Sequence, residues 1–488
     1  MEHADRTRAP PPNRCGHRLM PPQGEGEQVD KIMLFAGVDP LTTGESDYAW
    51  HPLSVLAIGS VLQAGGFDVL IVDCQVDHDW RALLAANAGD ALYVGVTCMT
   101  GPSISNVLTA IRIVRESAPG VPIIWGGYHA TLAYRGILRE HLADAVVLGP
   151  GEHAAVQLAR LLARGARLTP DAVTDVPNLA LLDGRTGLTQ AGTTQPSIFT
   201  TRYEFIGDMN ALPPMNYHLI EPARYYTDRV RDLSYISSYG CPYACTFCSE
   251  PTTSTRKWKP LAPRRVVAEL RHLWQTYHPS QISLLDPNFS TNIQRVIEIV
   301  ELLEGDGIRL ELRANMRTRD VVNLAKAIDL KRLHTVGFSA IFLGCESGSD
   351  TMLKRLRKGA TVADTRRACE LLDAAGITQL TSWIHDLPDE ELEDSEQTLQ
   401  LVTDLAKLPY NRQKHHFFMP FPSTELYEQL FGKTPDDGRT QAEWATSDTY
   451  GGSALYQGRP EFRARVLRQL VALKGQYANA LERSLPRL

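Results

Sequence analysis

The chain has no apolar run near the roughly 18 residues that a membrane-spanning helix needs. Its polar, Pro-rich N-terminus shows no apolar core of a secretory signal. A cytoplasmic protein with no membrane partner is therefore expected. A basic block is also missing: 50 Lys and Arg stand against 56 Asp and Glu, for a net charge of -6. Nucleic-acid binding needs a clustered basic surface, so no nucleic-acid partner is expected. Cysteine is scarce, with 8 in 488 residues, and Cys15, Cys74, Cys98, Cys345 and Cys369 are scattered. They make no disulfide framework, and a chain this long needs none, so a reducing compartment fits. No internal repeat is visible.

What cysteine there is becomes concentrated at one place. The run Gly240-Cys241-Pro242-Tyr243-Ala244-Cys245-Thr246-Phe247-Cys248 follows a strand-like stretch from Leu233 to Ser237. Three thiolates at this spacing suit three irons of a [4Fe–4S] cube, whose sites are normally filled by Cys sulfur. With no fourth local cysteine, one iron stays open, and an open metal position is where a ligand reacts. A zinc site would show two CxxC-like halves far apart, and no second half exists.

The rest of the chain reads as α/β. Residues 1–28 lack periodicity and are expected to be a disordered tail. Short apolar runs at Ile32–Ala36, Val69–Asp73, Tyr93–Cys98, Ile123–Trp125 and Ala145–Leu148 alternate with amphipathic stretches. Ile104, Val107, Leu108, Ile111 and Val114 follow helical spacing. Such alternation predicts a doubly wound parallel sheet over 29–165, with ligands at the strand carboxyl ends. Residues 166–230 read as a connector. A second alternating series predicts a partial (β/α)6 barrel over 231–430, followed by a helical C-terminal appendage over 431–488.

The cysteine spacing, with an aromatic residue before the third cysteine, resembles the radical S-adenosylmethionine (SAM) superfamily. The likeness extends over about 233–430. Leu285-Asp286-Pro287-Asn288-Phe289 is similar to the end of that family's second strand. Gly344-Cys345-Glu346-Ser347-Gly348-Ser349, with Lys358-Gly359, resembles its "GxESGs … Kg" segment. The resemblance implies that Cys241, Cys245 and Cys248 hold the cluster. The open iron would chelate SAM, and one electron would cleave it to a 5′-deoxyadenosyl radical. It further implies SAM contacts from Phe247, Asp286, Asn288, Arg317, Glu346 and Ser347, and an electron donor of the flavodoxin or ferredoxin type. One departure stands out. Where the family has a Gly-rich turn after the fifth strand, this chain has His385-Asp386. A carboxylate and an imidazole at the barrel mouth suit proton handling, so both are candidate catalytic residues.

The first domain is similar to the cobalamin (B12)-binding domain of one radical SAM subclass. The matching pieces include His51-Pro52-Leu53, Gly95 to Gly101, Trp125 to Thr131 and Gly149-Pro150-Gly151-Glu152. Thr97, Thr100, Gly126, Gly127 and His129 are the candidate cobalamin contacts. The longer "DxHxxG" signature, with its cobalt-binding His, is absent. The resemblance therefore implies a radical SAM enzyme of secondary metabolism, such as antibiotic biosynthesis, acting on a small molecule. A cobalamin-dependent methyl transfer to carbon is expected. The alternative is a dehydratase (lyase) or epimerase acting on an aminoglycoside-type sugar, with a vestigial first domain. A non-catalytic cobalamin-binding protein is the remaining reading.

Overall fold

The computed structural model describes residues 29–39, 50–188, 194–227, 230–308, 310–432, 438–447, 456 and 458–476. The expected tail over 1–28 lies outside the described residues, as do parts of the expected C-terminal appendage.

The first sheet is built from β1 (Lys31–Ala36), β2 (Asp68–Asp73), β3 (Ala91–Thr97), β4 (Ile123–Gly126), β5 (Ala145–Val147), β6 (Leu179–Leu188) and β7 (Thr194–Thr200). Its order is β2-β1-β3-β4-β5-β6-β7. The first five strands are parallel, because each is followed by a helix that returns the chain to the starting edge. β1 reads Ile-Met-Leu-Phe-Ala and is buried on both faces, which requires helices above and below. The helix Ser103–Ser117 supplies one cover by burying Ile104, Val107, Ala110, Ile111 and Val114. Strand order reverses between β1 and β3, so a crevice opens at their carboxyl ends.

The stretch read as a connector is not all connector. β6 and β7 form an antiparallel pair that joins the first sheet through β5. Their apolar residues are short and flanked by Gly, Asp and Thr, so pairing within the sheet gives them an order that local pattern does not.

The second unit contains β8 (Asp232–Tyr235), a two-stranded ribbon of β9 (Ser238–Gly240) and β10 (Trp258–Pro260), then β11 (Gln281–Leu284), β12 (Glu311–Met316), β13 (Phe338–Glu346), β14 (Thr378–His385) and β15 (Asn411–Phe417). The six long-range strands run parallel in the order β15-β14-β13-β12-β11-β8, with β8 and β15 at the edges. This is a partial (β/α)6 barrel. On β15 the burial alternates: Asn411, Gln413, His415 and Phe417 are buried, whereas Arg412, Lys414 and His416 are half-exposed. Gln413 donates to the Val402 carbonyl of the helix Leu392–Leu405. The buried positions therefore face the helices and the half-exposed ones face the lumen.

After β15 the chain crosses back. Tyr427 and Trp444 are buried in the first domain's core beside Trp125. The helix Pro460–Gln476 then packs on the barrel, with Val466, Leu470 and Leu473 in the core of that unit. The C-terminal segment thus touches both domains.

Candidate active site

The cysteine loop begins where β9 ends, and the antiparallel ribbon staples its two flanks together. Gly240 has φ +76, and a Cβ there would run into the Lys257 carbonyl oxygen. Glycine is thus the residue that lets the loop leave the ribbon. Cys241, Cys245 and Cys248 are half-buried, whereas the other described cysteines are buried. Burial raises the Cys241 thiol and pushes Cys248 up to about 12, and Cys245 adds to both. Three closely spaced thiols on one loop suit a metal group that replaces their protons. Among the described residues no three His, Cys, Asp or Glu side chains converge as on a single ion. A cube spreads its thiolates over three irons, so convergence on a point is not what it requires.

Beside the loop lies a polar cluster at the strand ends. Glu346 closes β13 with φ +64 and accepts from Lys358 Nζ at 2.6 Å, with both side chains nearly buried. Burial lowers Lys358, but Glu346 and Cys245 together raise it overall. A Cβ on Gly344 would strike both partners, so a glycine stands where the pair leans over the strand. Arg317 is buried, with its guanidinium 3.4 Å from the Tyr243 ring centroid and its Nε without a hydrogen-bond partner. An orphaned buried guanidinium N–H is costly unless a ligand accepts from it, and a carboxylate does so best. The Phe247 ring packs with Met352, Leu356 and Phe418, leaving its backbone at the loop. Arg317, Glu346 and Lys358 therefore suit a ligand bearing carboxylate, ammonium and hydroxyl groups, as SAM does.

Three expected SAM contacts have hydrogen-bond partners within the chain. Asp286 is fully buried and accepts from Ser237 N (3.1 Å), Ser237 Oγ (2.9 Å) and Ser238 Oγ. Burial raises its pKa and the nearby Arg295 opposes the rise. Asn288 donates to Asp320 (2.9 Å) and Thr291 (3.1 Å). Ser347 Oγ lies 3.2 Å from Thr398 Oγ1 and accepts from Ser349 N. Each side chain bonds to a neighbouring loop, strand or helix that local sequence does not reveal.

The expected catalytic pair, His385 and Asp386, is likewise bonded within the chain. Asp386 is fully buried with φ +59, and accepts from Arg459 Nε (3.0 Å), Arg459 N (3.1 Å) and Arg463 Nε (2.5 Å). It anchors the helix Pro460–Gln476. His385 Nε2 lies 2.9 Å from His415 Nδ1, on the helix-facing side of the sheet, and burial pushes His385 down to about 3. Neither group points at the lumen.

A cavity of about 300 Å³ runs from the carboxyl ends of the first sheet to the barrel. Thr97, Gly126 and Gly127 line it, as expected of cofactor contacts. Gly127 has φ +92, and a Cβ there would meet Thr97 Oγ1. Thr100 and His129 do not line it. His129 is fully buried, with Nδ1 3.1 Å from Thr100 and Nε2 2.6 Å from Gln441 Oε1. Its ring is a strut to the C-terminal segment. Sequence reading missed two pairs that cross the cavity in opposite senses. Tyr128 of the first domain donates to Glu250 of the second. Tyr239 of the second bonds Glu152 of the first. Burial raises both carboxyls, and Glu152 Oε2 has no partner. The nearest sequence signal was the position of Glu250, two residues after Cys248.

The family comparisons agree with this layout. Residues 41–159 match the B12 binding domain model, and residues 235–402 match the Radical SAM superfamily model. The chain is a radical SAM enzyme with a B12-binding domain. It is 28% identical over 337 residues to an uncharacterized methyltransferase of Pyrococcus horikoshii, covering 69% of this chain and 68% of the relative. It is 26% identical over 394 residues to the anaerobic magnesium-protoporphyrin IX monomethyl ester cyclase of Rubrivivax gelatinosus, covering 79% and 67%. The fold matches the radical SAM methyltransferase TsrM of Kitasatospora setae, solved with cobalamin and a [4Fe–4S] cluster bound. The TM-score is 0.69 at 17% identity, over 94% of this chain and 92% of that one. This radical SAM enzyme thus carries the domains that take a [4Fe–4S] cluster, SAM and cobalamin. None of its described helices is long and apolar enough to cross a membrane.

Proposed function

We propose that the protein transfers a methyl group to a carbon atom of a small molecule, with cobalamin held between its two domains. The observation that carries this reading is the cavity joining the first sheet to the cysteine loop. A vestigial first domain has no need of glycines at its strand ends or of tyrosine–glutamate pairs reaching across to the loop. The lining is mostly apolar with a few hydroxyls and carboxylates, which suits a large organic cofactor rimmed by amides.

When bound, the cluster passes one electron to SAM, and cobalamin carries the methyl group. The chain's own residues hold and orient. Cys241, Cys245 and Cys248 take three irons. Arg317 takes the SAM carboxylate, and Glu346, positioned by Lys358, takes the ammonium or ribose hydroxyls. Thr97, Gly126 and Gly127 let the cofactor approach the backbone, and the Tyr128–Glu250 pair fixes the first domain against the loop. A flavodoxin- or ferredoxin-type protein supplies the electrons, in a reducing cytoplasm.

The rival reading, dehydration or epimerisation of an aminoglycoside-type sugar, drew on His385 and Asp386 as proton-handling groups. Both are tied into the helix-facing side of the barrel. The test is to purify the protein from cobalamin-supplied cells, measure cobalt per chain, and assay SAM cleavage anaerobically. Near one cobalt per chain, with 5′-deoxyadenosine and S-adenosylhomocysteine both formed on turnover, is expected. An active cluster in a cobalt-free protein sinks the methylation reading.

A further inference from the structure

We infer that Asp286 is a positioning residue: it ties the root of the cysteine loop to the strand end that carries Arg317, and so sets the cluster against the SAM carboxylate. The inference rests on the SAM contact proposed above for Arg317 and deepens it.

β11 lies between β8 and β12 in the sheet. The residues that follow it therefore stand between the strand end leading to the cysteine loop and the one leading to Arg317. The Asp286 side chain serves the first. It accepts from Ser237 N (3.1 Å), Ser237 Oγ (2.9 Å) and Ser238 Oγ. Ser238 opens β9, three residues before Cys241. The Asp286 backbone carbonyl serves the second. It accepts from Asn315 Nδ2 (2.9 Å), on β12 two residues before Arg317. One residue thus bonds both sides.

Arg295 closes the bracket. Its guanidinium donates to the Ser237 carbonyl (3.0 Å), to Ser237 Oγ (2.9 Å) and to the Leu261 carbonyl (3.0 Å). Ser237 precedes β9 and Leu261 follows β10, so one side chain spans both ends of the ribbon that bears the loop. Opposite charge couples it to Asp286.

A second tie runs beside the first. Asn288 donates to Asp320 Oδ2 (2.9 Å), in the first turn of the helix after Arg317. The Tyr243 hydroxyl of the cysteine loop lies 3.5 Å from the other oxygen of Asp320. The same Tyr243 ring underlies the Arg317 guanidinium. Asp286, Asn288, Arg295 and Asp320 are all buried, so each broken bond is costly and the network favours a single register. Arg317 and the cysteine loop can grip one SAM molecule together only at a set separation. A misplacement of about 1 Å is enough to spoil such a two-point contact. Asp286 controls that separation through Ser237, Ser238 and Asn315.

The test uses the anaerobically reconstituted, cobalamin-loaded protein carrying Mössbauer-active iron. Equilibrium dialysis reads the Kd for SAM, and the Mössbauer change caused by SAM reports its contact with the cluster. Asp286→Asn should keep its iron and its SAM-free spectrum. It should raise the Kd roughly tenfold or more and shrink the SAM-induced change. Ser238→Ala cuts one bond of the same set and should move both readouts in the same direction. Ser238→Thr keeps the hydroxyl and should hold the Kd within about threefold of wild type. The Ser238 pair decides the matter if Asp286→Asn does not fold. Asp232→Asn removes a buried carboxylate at the far end of the barrel, where it accepts from Ser283. It should lower stability and leave the Kd and the SAM-induced change alone. Wild-type values of both in the Asp286 and Ser238 variants overturn the inference. Loss of iron from them overturns it too, since Asp286 would then support the cysteine loop alone. A Kd that rises in Arg317→Lys but not in Asp286→Asn rejects the positioning role by itself. A Kd unmoved in Arg317→Lys rejects the proposed SAM contact and the positioning role with it. The methylation reading is decided separately, by cobalt per chain.

Discussion

Tyr128 donates its hydroxyl hydrogen to the Glu250 carboxylate, and the bond spans the two domains. Both residues line the cavity, and Glu250 lies two residues beyond Cys248. Removing the hydroxyl takes one of its donors from a buried carboxylate, a cost of about 1–3 kcal/mol. Tyr128→Phe should therefore lower the thermal midpoint and loosen cobalamin, read as cobalt per chain after gel filtration. Wild-type values for both would show that the bond holds nothing in place.

The three loop cysteines should behave as a set. Replacing any one of Cys241, Cys245 or Cys248 by Ala should take bound iron to background and abolish 5′-deoxyadenosine formation, because a cube short of a protein ligand is not retained. Cys345→Ala removes a thiol that is fully buried against the helices. It should keep the iron. Iron retained in a Cys245→Ala protein would dismiss the cluster assignment.

Asp386 should act on stability and not on chemistry. Its buried carboxylate pairs with Arg463, which is nearly buried, and with the more exposed Arg459, and breaking such a buried pair costs about 3–5 kcal/mol. Asp386→Asn is expected to lower the unfolding free energy by up to that amount. Below its own melting point it should retain SAM cleavage with an unshifted pH profile. A moved pH profile with normal stability would falsify this assignment.

Buried histidines set the acid limit of the fold. Burial lowers His385 to about 3, and His51 and His129 to about 4, from 6.5. Between pH 6.5 and those values the unfolded chain binds protons that the folded chain refuses. The rings' contribution is therefore complete above that window and falls as pH drops through it, by at most about 1.4 kcal/mol per unit for each ring, against the opposite slope of Asp73 and Glu390, which burial raises to about 6 and about 7. Denaturant midpoints of wild type and a histidine variant, compared from about pH 7 down to about pH 5, isolate the slope due to the rings. His129→Gln should flatten it, whatever it does to the level. A slope unchanged in that variant would mean that the ring titrates normally.

Arg317 should govern SAM affinity. Arg317→Lys keeps the charge but loses the planar fork and the stacking on Tyr243. The Kd for SAM should rise roughly tenfold, with cluster content unchanged. An unaltered Kd would place the SAM carboxylate elsewhere.

Sequence spacing carried the α/β alternation and the cysteine loop, because both are local. Strand β1 and the helix Ser103–Ser117 announce themselves through burial on the expected faces. The site was legible only where a residue acts through its immediate neighbours. Gly127 and Thr97 belong to that class. Asp286, Ser347, Asp386 and His129 do not, since each has a partner 49 or more positions away in the chain. A polar residue inside a motif reads as a ligand until its distant partner is visible. Tyr128, Tyr239, Glu152 and Glu250 were missed for the converse reason: each finds its partner only when the domains meet.

The return of the chain to the first domain has a bearing on cooperativity. Gln441 and Trp444 are buried among first-domain residues, while Arg459 and Arg463 grip the barrel at Asp386. The closing stretch serves both units as a common strap, so neither can melt while keeping all of its own contacts. Thermal or chemical denaturation should accordingly run as one concerted transition rather than a domain-by-domain sequence, and cutting the strap should split it in two.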